Sequence, residues 1–296
     1  MRKLLKIVVV LALIGLAVFW FVTRPSRVDP DALAGLSGDA AKGEQVFWAA
    51  GCAACHAAPK AEGEARLVLA GGMAFASPFG TFFAPNISPD PEHGIGGWSL
   101  EALVNAMKHG TGPNGAHYYP AFPYTSYARA ELADIADLHA FLATLPASDA
   151  ANTPHDVGFP FNIRRSLGGW KFLFSRPEWV MDVSGDELER GRYLVEALGH
   201  CGECHTPRNA LGGLDYSRWL QGAATPDGKG KVPALTPDAL TWSAVDIAAY
   251  LGTGFTPDFD SAGGHMADVV LNLANLPKSD LAAIAAYLKA MPAADG

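Results

Sequence analysis

Cys52-Ala53-Ala54-Cys55-His56 and Cys201-Gly202-Glu203-Cys204-His205 are two copies of one pattern, a pair of cysteines two residues apart with a histidine directly after. Together they use all 4 cysteines of the 296-residue chain. On a helical turn the first cysteine and the histidine share a face, and the second cysteine reaches the other edge of whatever planar group lies there. That is the spacing of a c-type haem, held by two thioethers to its vinyl groups while the histidine gives a nitrogen to iron. Cys52, Cys55, Cys201 and Cys204 are the expected attachment points of two covalent haem c groups, and His56 and His205 the proximal iron ligands. A zinc site would need the two cysteine pairs to converge across a full internal repeat. A thioredoxin-like redox pair would need a βαβ context that the sequence lacks. A disulfide across two residues of a helix is geometrically awkward.

Working outward, the surroundings of the motifs repeat as well. Gly43-Glu44-Gln45-Val46-Phe47 leads into the first and Gly191-Arg192-Tyr193-Leu194-Val195 into the second. Downstream, Ala84-Pro85-Asn86 matches Val232-Pro233-Ala234, and each is followed by a Trp-Ser pair, Trp98-Ser99 and Trp242-Ser243. Each copy closes on an apolar helical pattern, through Leu132, Ile135, Leu138 and Leu142 or through Leu281, Ile284, Tyr287 and Leu288, ending in Pro146 or Pro292. The expected architecture is all-α: two related helical domains, each with a helix entering its motif, a loop-rich middle, a helix after Trp-Ser and a closing helix. Between them, Ala147 to Gly185 is too rich in aromatics for a free linker and should pack against both.

A methionine on the far side of such an iron raises its reduction potential relative to a second histidine. Counting 24 residues from Trp242 reaches Met266, in Gly263-Gly264-His265-Met266, the expected distal ligand of the second haem. The same count from Trp98 lands on Phe122, which cannot coordinate iron. His117 is the nearest nitrogen donor and the leading substitute; His109, Met107, Met73 and an open or water-bound iron are the alternatives. Trp98 and Trp242 suit the crevice walls, Arg208 could meet a propionate, and a backbone carbonyl near Pro59 or Pro207 could orient the proximal imidazoles. The other histidines are expected at the surface or in hydrogen bonds.

Apolar residues at 49% exclude a mainly disordered chain, and Gly and Pro recur without the triplet period of collagen. The formal charge is −8, which argues against nucleic-acid binding. Residues 1–27 hold five basic side chains and no acid, so the remainder carries 17 Lys and Arg against 30 Asp and Glu. Within that leader, Ile7 to Val22 is an uncharged run about 24 Å long as a helix, with Phe19-Trp20-Phe21 suited to a membrane boundary. No small-x-small cleavage site follows at Val22-Thr23-Arg24-Pro25, which favours an uncleaved anchor over a signal peptide. Either reading exports the body.

The sequence resembles the multihaem cytochrome c subunits that accompany bacterial membrane-bound dehydrogenases, such as those of alcohol and gluconate dehydrogenases. The resemblance spans about residues 38–293 and rests on both Cys motifs, on Phe79-Gly80-Thr81-Phe82-Phe83-Ala84-Pro85-Asn86-Ile87, on Tyr119-Pro120-Ala121, on Pro123-Tyr124-Thr125-Ser126-Tyr127 and on Thr206-Pro207-Arg208-Asn209. It departs at two points: relatives of the alcohol dehydrogenase type carry three haems against two here, and their Pro-Ala-Met-Pro segment reads Pro120-Ala121-Phe122-Pro123. The resemblance implies two tandem cytochrome c domains, 38–147 and 185–296, with loop-rich haem crevices, joined by an aromatic-rich linker over 148–184 and preceded by an anchor over 1–27. It implies an electron-transfer protein and not an enzyme, a single pass of a bacterial inner membrane with the body in the periplasm, a periplasmic dehydrogenase as donor, and a cytochrome, oxidase or quinone-linked acceptor. A dihaem peroxidase-like enzyme with an open first haem is the alternative.

Overall fold

The computed structural model describes residues 1–225 and 228–293. Helix α1 (Arg2–Val22) projects from the body with none of its side chains buried, and near its C-terminal end meets the helix Ser166–Phe174, where Arg165 lies over Trp20. The body runs α2 (Ala40–Ala49), α3 (Cys52–His56), α4 (Leu100–His109), α5 (Tyr124–Tyr127), α6 (Leu132–Leu142), α7 (Ser166–Phe174), α8 (Asp186–Arg192), α9 (Gly202–His205), α10 (Ala244–Thr253), α11 (His265–Leu273) and α12 (Lys278–Ala290). A π-helical stretch, Tyr193–Leu198, carries α8 on toward the second motif.

The helices start and stop where local chemistry dictates. Asp39 caps α2 by accepting from the amides of Ala41 and Lys42. Ser99 caps α4, and Ser243 caps α10 in a reciprocal box with Asp246. Both of these helices end on a left-handed glycine, Gly110 (φ 54°) and Gly254 (φ 80°). The Trp-Ser pairs thus mark helix starts in both halves.

In each half the helix entering the motif crosses the closing helix at a glycine. A Cβ on Gly43 of α2 would come 2.0 Å from the Asp137 carbonyl oxygen of α6, and one on Gly191 of α8 would come 2.1 Å from that of Ala283 in α12. The close approach lets Phe47, Ile135 and Leu138 in one half, and Leu194, Val195 and Tyr287 in the other, bury completely or nearly so. Burial stabilises such aliphatic and aromatic side chains by about 1.5–3 kcal/mol each. These residues belong to one continuous apolar cluster that spans both halves.

Three details differ from the sequence reading. Two antiparallel ribbons interrupt the all-α pattern, Ala74–Ser77 (β1) with Gly80–Phe83 (β2) and Ala223–Ala224 (β3) with Lys231–Val232 (β4). Their strands are too short to show an alternating pattern, and the first is fixed by its turn, where the Ser77 hydroxyl donates to the Gly80 carbonyl at 2.8 Å. The intervening segment folds helix α7 and packs as expected: Trp170 donates to the Leu211 carbonyl at 2.8 Å on one side, and Lys171 reaches His109 and Gly110 on the other. Met266 lies in the first turn of α11, not in a loop.

The seam between the halves is polar and buried. Glu196 accepts from the amides of Val180 (2.6 Å) and Met181 (3.0 Å) and from the Tyr287 hydroxyl (2.7 Å). Arg129 lies 3.9 Å from it, with both side chains out of solvent. The Arg129 guanidinium also donates to the carbonyls of Thr125, Arg176 and Glu178, so first half, linker and second half meet at one pair.

Candidate haem-attachment sites

Helix α3 spans the first motif, and α9 with Cys201 at its N-terminus spans the second. All four thiols are free of disulfides. Each histidine is oriented by the same bond. The Nδ1–H of His56 donates to the Pro85 carbonyl at 2.8 Å, and that of His205 to the Pro233 carbonyl at 2.8 Å. A carbonyl can only accept, so Nδ1 carries the proton and Nε2 keeps its lone pair for a metal. Burial lowers the proton affinity of both imidazoles, opposed by that carbonyl, which keeps them neutral as ligands must be.

A return of the chain pins each motif from the other end. The Gly71 amide donates to the His56 carbonyl at 2.7 Å, and the Gly222 amide to the His205 carbonyl at 2.7 Å. One step on, Ile87 pairs with Leu69 (3.0 Å) and Leu235 with Leu220 (2.8 Å), which holds the Pro85 and Pro233 strands in register. Gly71 (φ 73°) and Gly222 (φ 81°) are left-handed, and a Cβ on either would meet the proline strand's backbone at 2.5 Å and 2.9 Å. Neither glycine stood out in the sequence, and the orienting carbonyls are Pro85 and Pro233, not Pro59 and Pro207. The signal was the matched Ala84-Pro85-Asn86 and Val232-Pro233-Ala234, whose role shows only once the chain folds back about 29 residues.

Cys52, Cys55 and Cys201 are half-buried and Cys204 is exposed. Burial, with the neighbouring Cys55, pushes Cys52 up to about 12. Burial, then Cys204 and Asp268, pushes Cys55 up to about 11. The two motifs are therefore electrostatic neighbours. Arg66 offers a further test of fit: its side chain is buried over Trp48, beside Asp268, and its Nη2 has no protein partner. An orphaned guanidinium nitrogen close to the first motif matches a haem propionate. Arg208 is committed elsewhere, to the Gly212 carbonyl at 2.8 Å and to the Glu203 side chain. Burial raises the Glu203 carboxyl, but Arg208 and the Thr125 hydroxyl outweigh it and hold it low. Its partners Thr125 (2.6 Å) and Ser126 (3.1 Å) lie in the first half.

The distal candidates separate. Met266 is partly buried against the core, in a helix that packs on α3 and α2 as well as α10. Phe122 stands among Tyr127, Tyr118 and Tyr124, with ring centroids 5.7, 6.0 and 6.5 Å away. Tyr127 is close enough to Cys52 and Cys55 to feel both thiols, so this aromatic wall belongs to the first site. His117 has both ring nitrogens engaged, Nε2–H donating to the Thr23 carbonyl (2.9 Å) and Nδ1 accepting from Lys171 (3.1 Å). Both nitrogens thus have protein partners in this structure. Thr23, at the end of α1, docks against this loop. Met107 is buried in α4, the Met73 carbonyl accepts from Ala84, and the His109 carbonyl accepts from Lys171. Trp98 borders an open cavity of about 540 Å³ with His117, Tyr118 and Arg164. Trp242 packs edge-on to Tyr250.

Two helical Cys-x-x-Cys-His turns, each with its imidazole aimed by a backbone carbonyl, define a protein that attaches haem c twice. The comparisons agree. A family model described as cytochrome c matches residues 40–146. A diheme cytochrome c-type protein of Cereibacter sphaeroides is 60% identical over 99% of both chains. The fructose dehydrogenase cytochrome subunit of Gluconobacter japonicus is 39% identical over 85% of this chain and 52% of its own length. The quinone-type alcohol dehydrogenase cytochrome c subunit of Gluconobacter oxydans is 38% identical over 85% and 54%. This chain belongs to the diheme c-type cytochromes, and its cofactors are two covalent haem c groups. It spans about half the length of those dehydrogenase subunits. The peroxidase alternative finds no support among these relatives.

Proposed function

We propose that the chain is a membrane-tethered periplasmic relay, passing single electrons from a dehydrogenase toward the respiratory chain. Residues 38–147 and 185–296 act as tandem cytochrome c domains, 148–184 as the linker, and 1–27 as an uncleaved single-pass anchor in a bacterial inner membrane. Cys52 with Cys55, and Cys201 with Cys204, attach the haems. His56 and His205 are their proximal ligands and Met266 the distal ligand of the second. When bound, haem supplies reversible one-electron iron chemistry; this chain would attach it through the four thiols, fix the imidazoles and set what faces each iron.

The observation that carries the reading is the duplicated aim of His56 and His205 through Pro85 and Pro233. With Phe122 where the repeat calls for methionine, and His117 engaged elsewhere, the first haem has the lower potential, so electrons pass from the first site to the second. The acidic body suits partners with a basic face, and their association slows as salt rises. Potentiometric titration with the two haems assigned by low-temperature EPR tests this. Two covalent haems are expected, the first reducing at the lower potential. A first haem more oxidising than the second overturns the order of transfer.

A further inference from the structure

The segment between the halves carries an apolar, cationic face that the electron relay does not use. Helix α7 is its centre. On one side Gly168 lies against Thr23 at the end of α1, where a Cβ would come 2.6 Å from the Thr23 Cα. Arg165, one residue before α7, donates to the Thr23 hydroxyl (2.8 Å) and to the Trp20 carbonyl (2.6 Å), and its guanidinium stacks 4.2 Å over the Trp20 ring. On the other sides Lys171 and Trp170 bind the two halves, and Gly213 lies against Phe174. The helix is thus fixed from every direction but one.

That remaining side is apolar. Phe172 is 72% exposed and Leu173 60%, and Phe159 and Ile163, in the turns leading to α7, are 81% and 46% exposed. Residues 159–177 contain Arg164, Arg165 and Arg176 and no acid, with Lys171 turned inward onto the first half, and residues 22–28 add Arg24 and Arg27 and no acid. Both stretches belong to a chain whose net charge is −8. Exposed phenylalanine and leucine beside arginines are the makings of a surface that inserts its apolar side chains below anionic headgroups.

Depth is set by Arg165. It touches Trp20, in the aromatic cluster that closes the apolar run of α1, so Arg165 sits where that helix leaves the hydrocarbon. Phe172 lies seven residues further, about 10 Å along α7 at most. The polar zone of one leaflet is about 5–7 Å thick, and amphipathic segments sink about 5–10 Å into it. We infer that α7 and the turns before it form a second membrane contact, resting on the anionic phospholipid surface beside the point where α1 enters. This rests on the reading of α1 as an anchor. It would fix the body's tilt and hold both haem motifs at a set height.

Spin labelling of the full holoprotein tests the contact, because the four native cysteines are consumed by haem. Single substitutions Phe159→Cys and Leu173→Cys carry the label, with Leu13→Cys in α1 and Val245→Cys on α10 as references. The protein is placed in vesicles of three parts phosphatidylcholine to one part phosphatidylglycerol. Saturation is then compared in oxygen and in a nickel chelate. Labels at 159 and 173 are expected to favour oxygen over nickel several-fold more than the label at 245, and less than the label at 13. If 13 reports bilayer while 159 and 173 match 245, the contact is overturned and that face is left to a protein partner. If 13 itself reports water, the anchor reading falls, and this inference with it.

Discussion

The two halves share their proximal machinery and differ in what stands opposite it. His56 and His205 are aimed by the same carbonyl bond and pinned by the same glycine return. At the matching distance beyond Trp-Ser, however, the first half carries Phe122 inside a wall of three tyrosines, and the second carries Met266 in the first turn of α11. Holding a haem and setting its potential are therefore separable tasks. The first needs backbone geometry that tolerates little change, the second a single side chain.

The largest effect should come from exchanging those side chains. Phe122→Met is expected to raise the potential of the first haem and Met266→Phe to lower that of the second, each narrowing the gap, since a methionine sulfur favours ferrous iron. Spectroelectrochemistry of both variants reads the shifts directly. If Phe122→Met leaves the first wave in place, the repeat does not locate its distal face.

Glu196 tests whether the halves are one unit. Glu196→Ala strands Arg129 and the amides of Val180 and Met181 in a dry seam, and removing one partner of a buried charge pair costs about 3–5 kcal/mol. Because the apolar cluster runs through both halves, a single cooperative transition is expected to move down in denaturant, followed by haem absorbance and far-UV dichroism. Two separated transitions would mean that the halves unfold independently.

The seam also shows where the sequence was legible. Helix starts at Ser99 and Ser243 are local chemistry, so the Trp-Ser repeat revealed them; the glycine stops at Gly110 and Gly254 were not read from it. The Cys-x-x-Cys-His turns were legible for the same reason: everything they need lies within five residues. The carbonyls of Pro85 and Pro233, the orphaned Arg66 and the commitment of Glu203 to Thr125 depend on chain returns, which no spacing rule specifies. His117 is the clearest case. Its loop position suggested a ligand, and its Nε2–H goes instead to Thr23, 94 residues earlier at the end of an apolar helix whose docking could not be read from composition.

The paired glycines sharpen the comparison of the proximal sides. Gly71→Ala and Gly222→Ala each force a Cβ into the proline strand and demand a left-handed alanine, at an expected cost of about 1–3 kcal/mol by overpacking. The clearance is 2.5 Å at Gly71 and 2.9 Å at Gly222, so the first should lose more. Thermal unfolding of the two holoproteins measures the difference. Equal losses would show that the second return is as rigid as the first despite its wider spacing.

The smallest effect concerns Lys171, which ties α7 to the first half and to His117, the partner of Thr23. Lys171 Nζ donates to the carbonyls of His109 and Gly110 and to His117 Nδ1, three acceptors for the three protons of an ammonium. Burial nevertheless pushes its pKa down to about 7, against an ordinary value of 10.5. The sign follows from proton counting. Below about pH 7 Lys171 is protonated whether folded or unfolded, and the desolvation penalty is borne in full. Between about 7 and 10.5 the unfolded chain holds the extra proton, so stability rises with pH across that window. Lys171→Met removes this dependence while leaving a constant loss of hydrogen bonds. Melting temperatures of wild type and variant, compared from neutral pH upward, should therefore diverge in favour of wild type. A gap that stays constant would mean that the three acceptors hold the ammonium charged throughout and cancel the effect of burial.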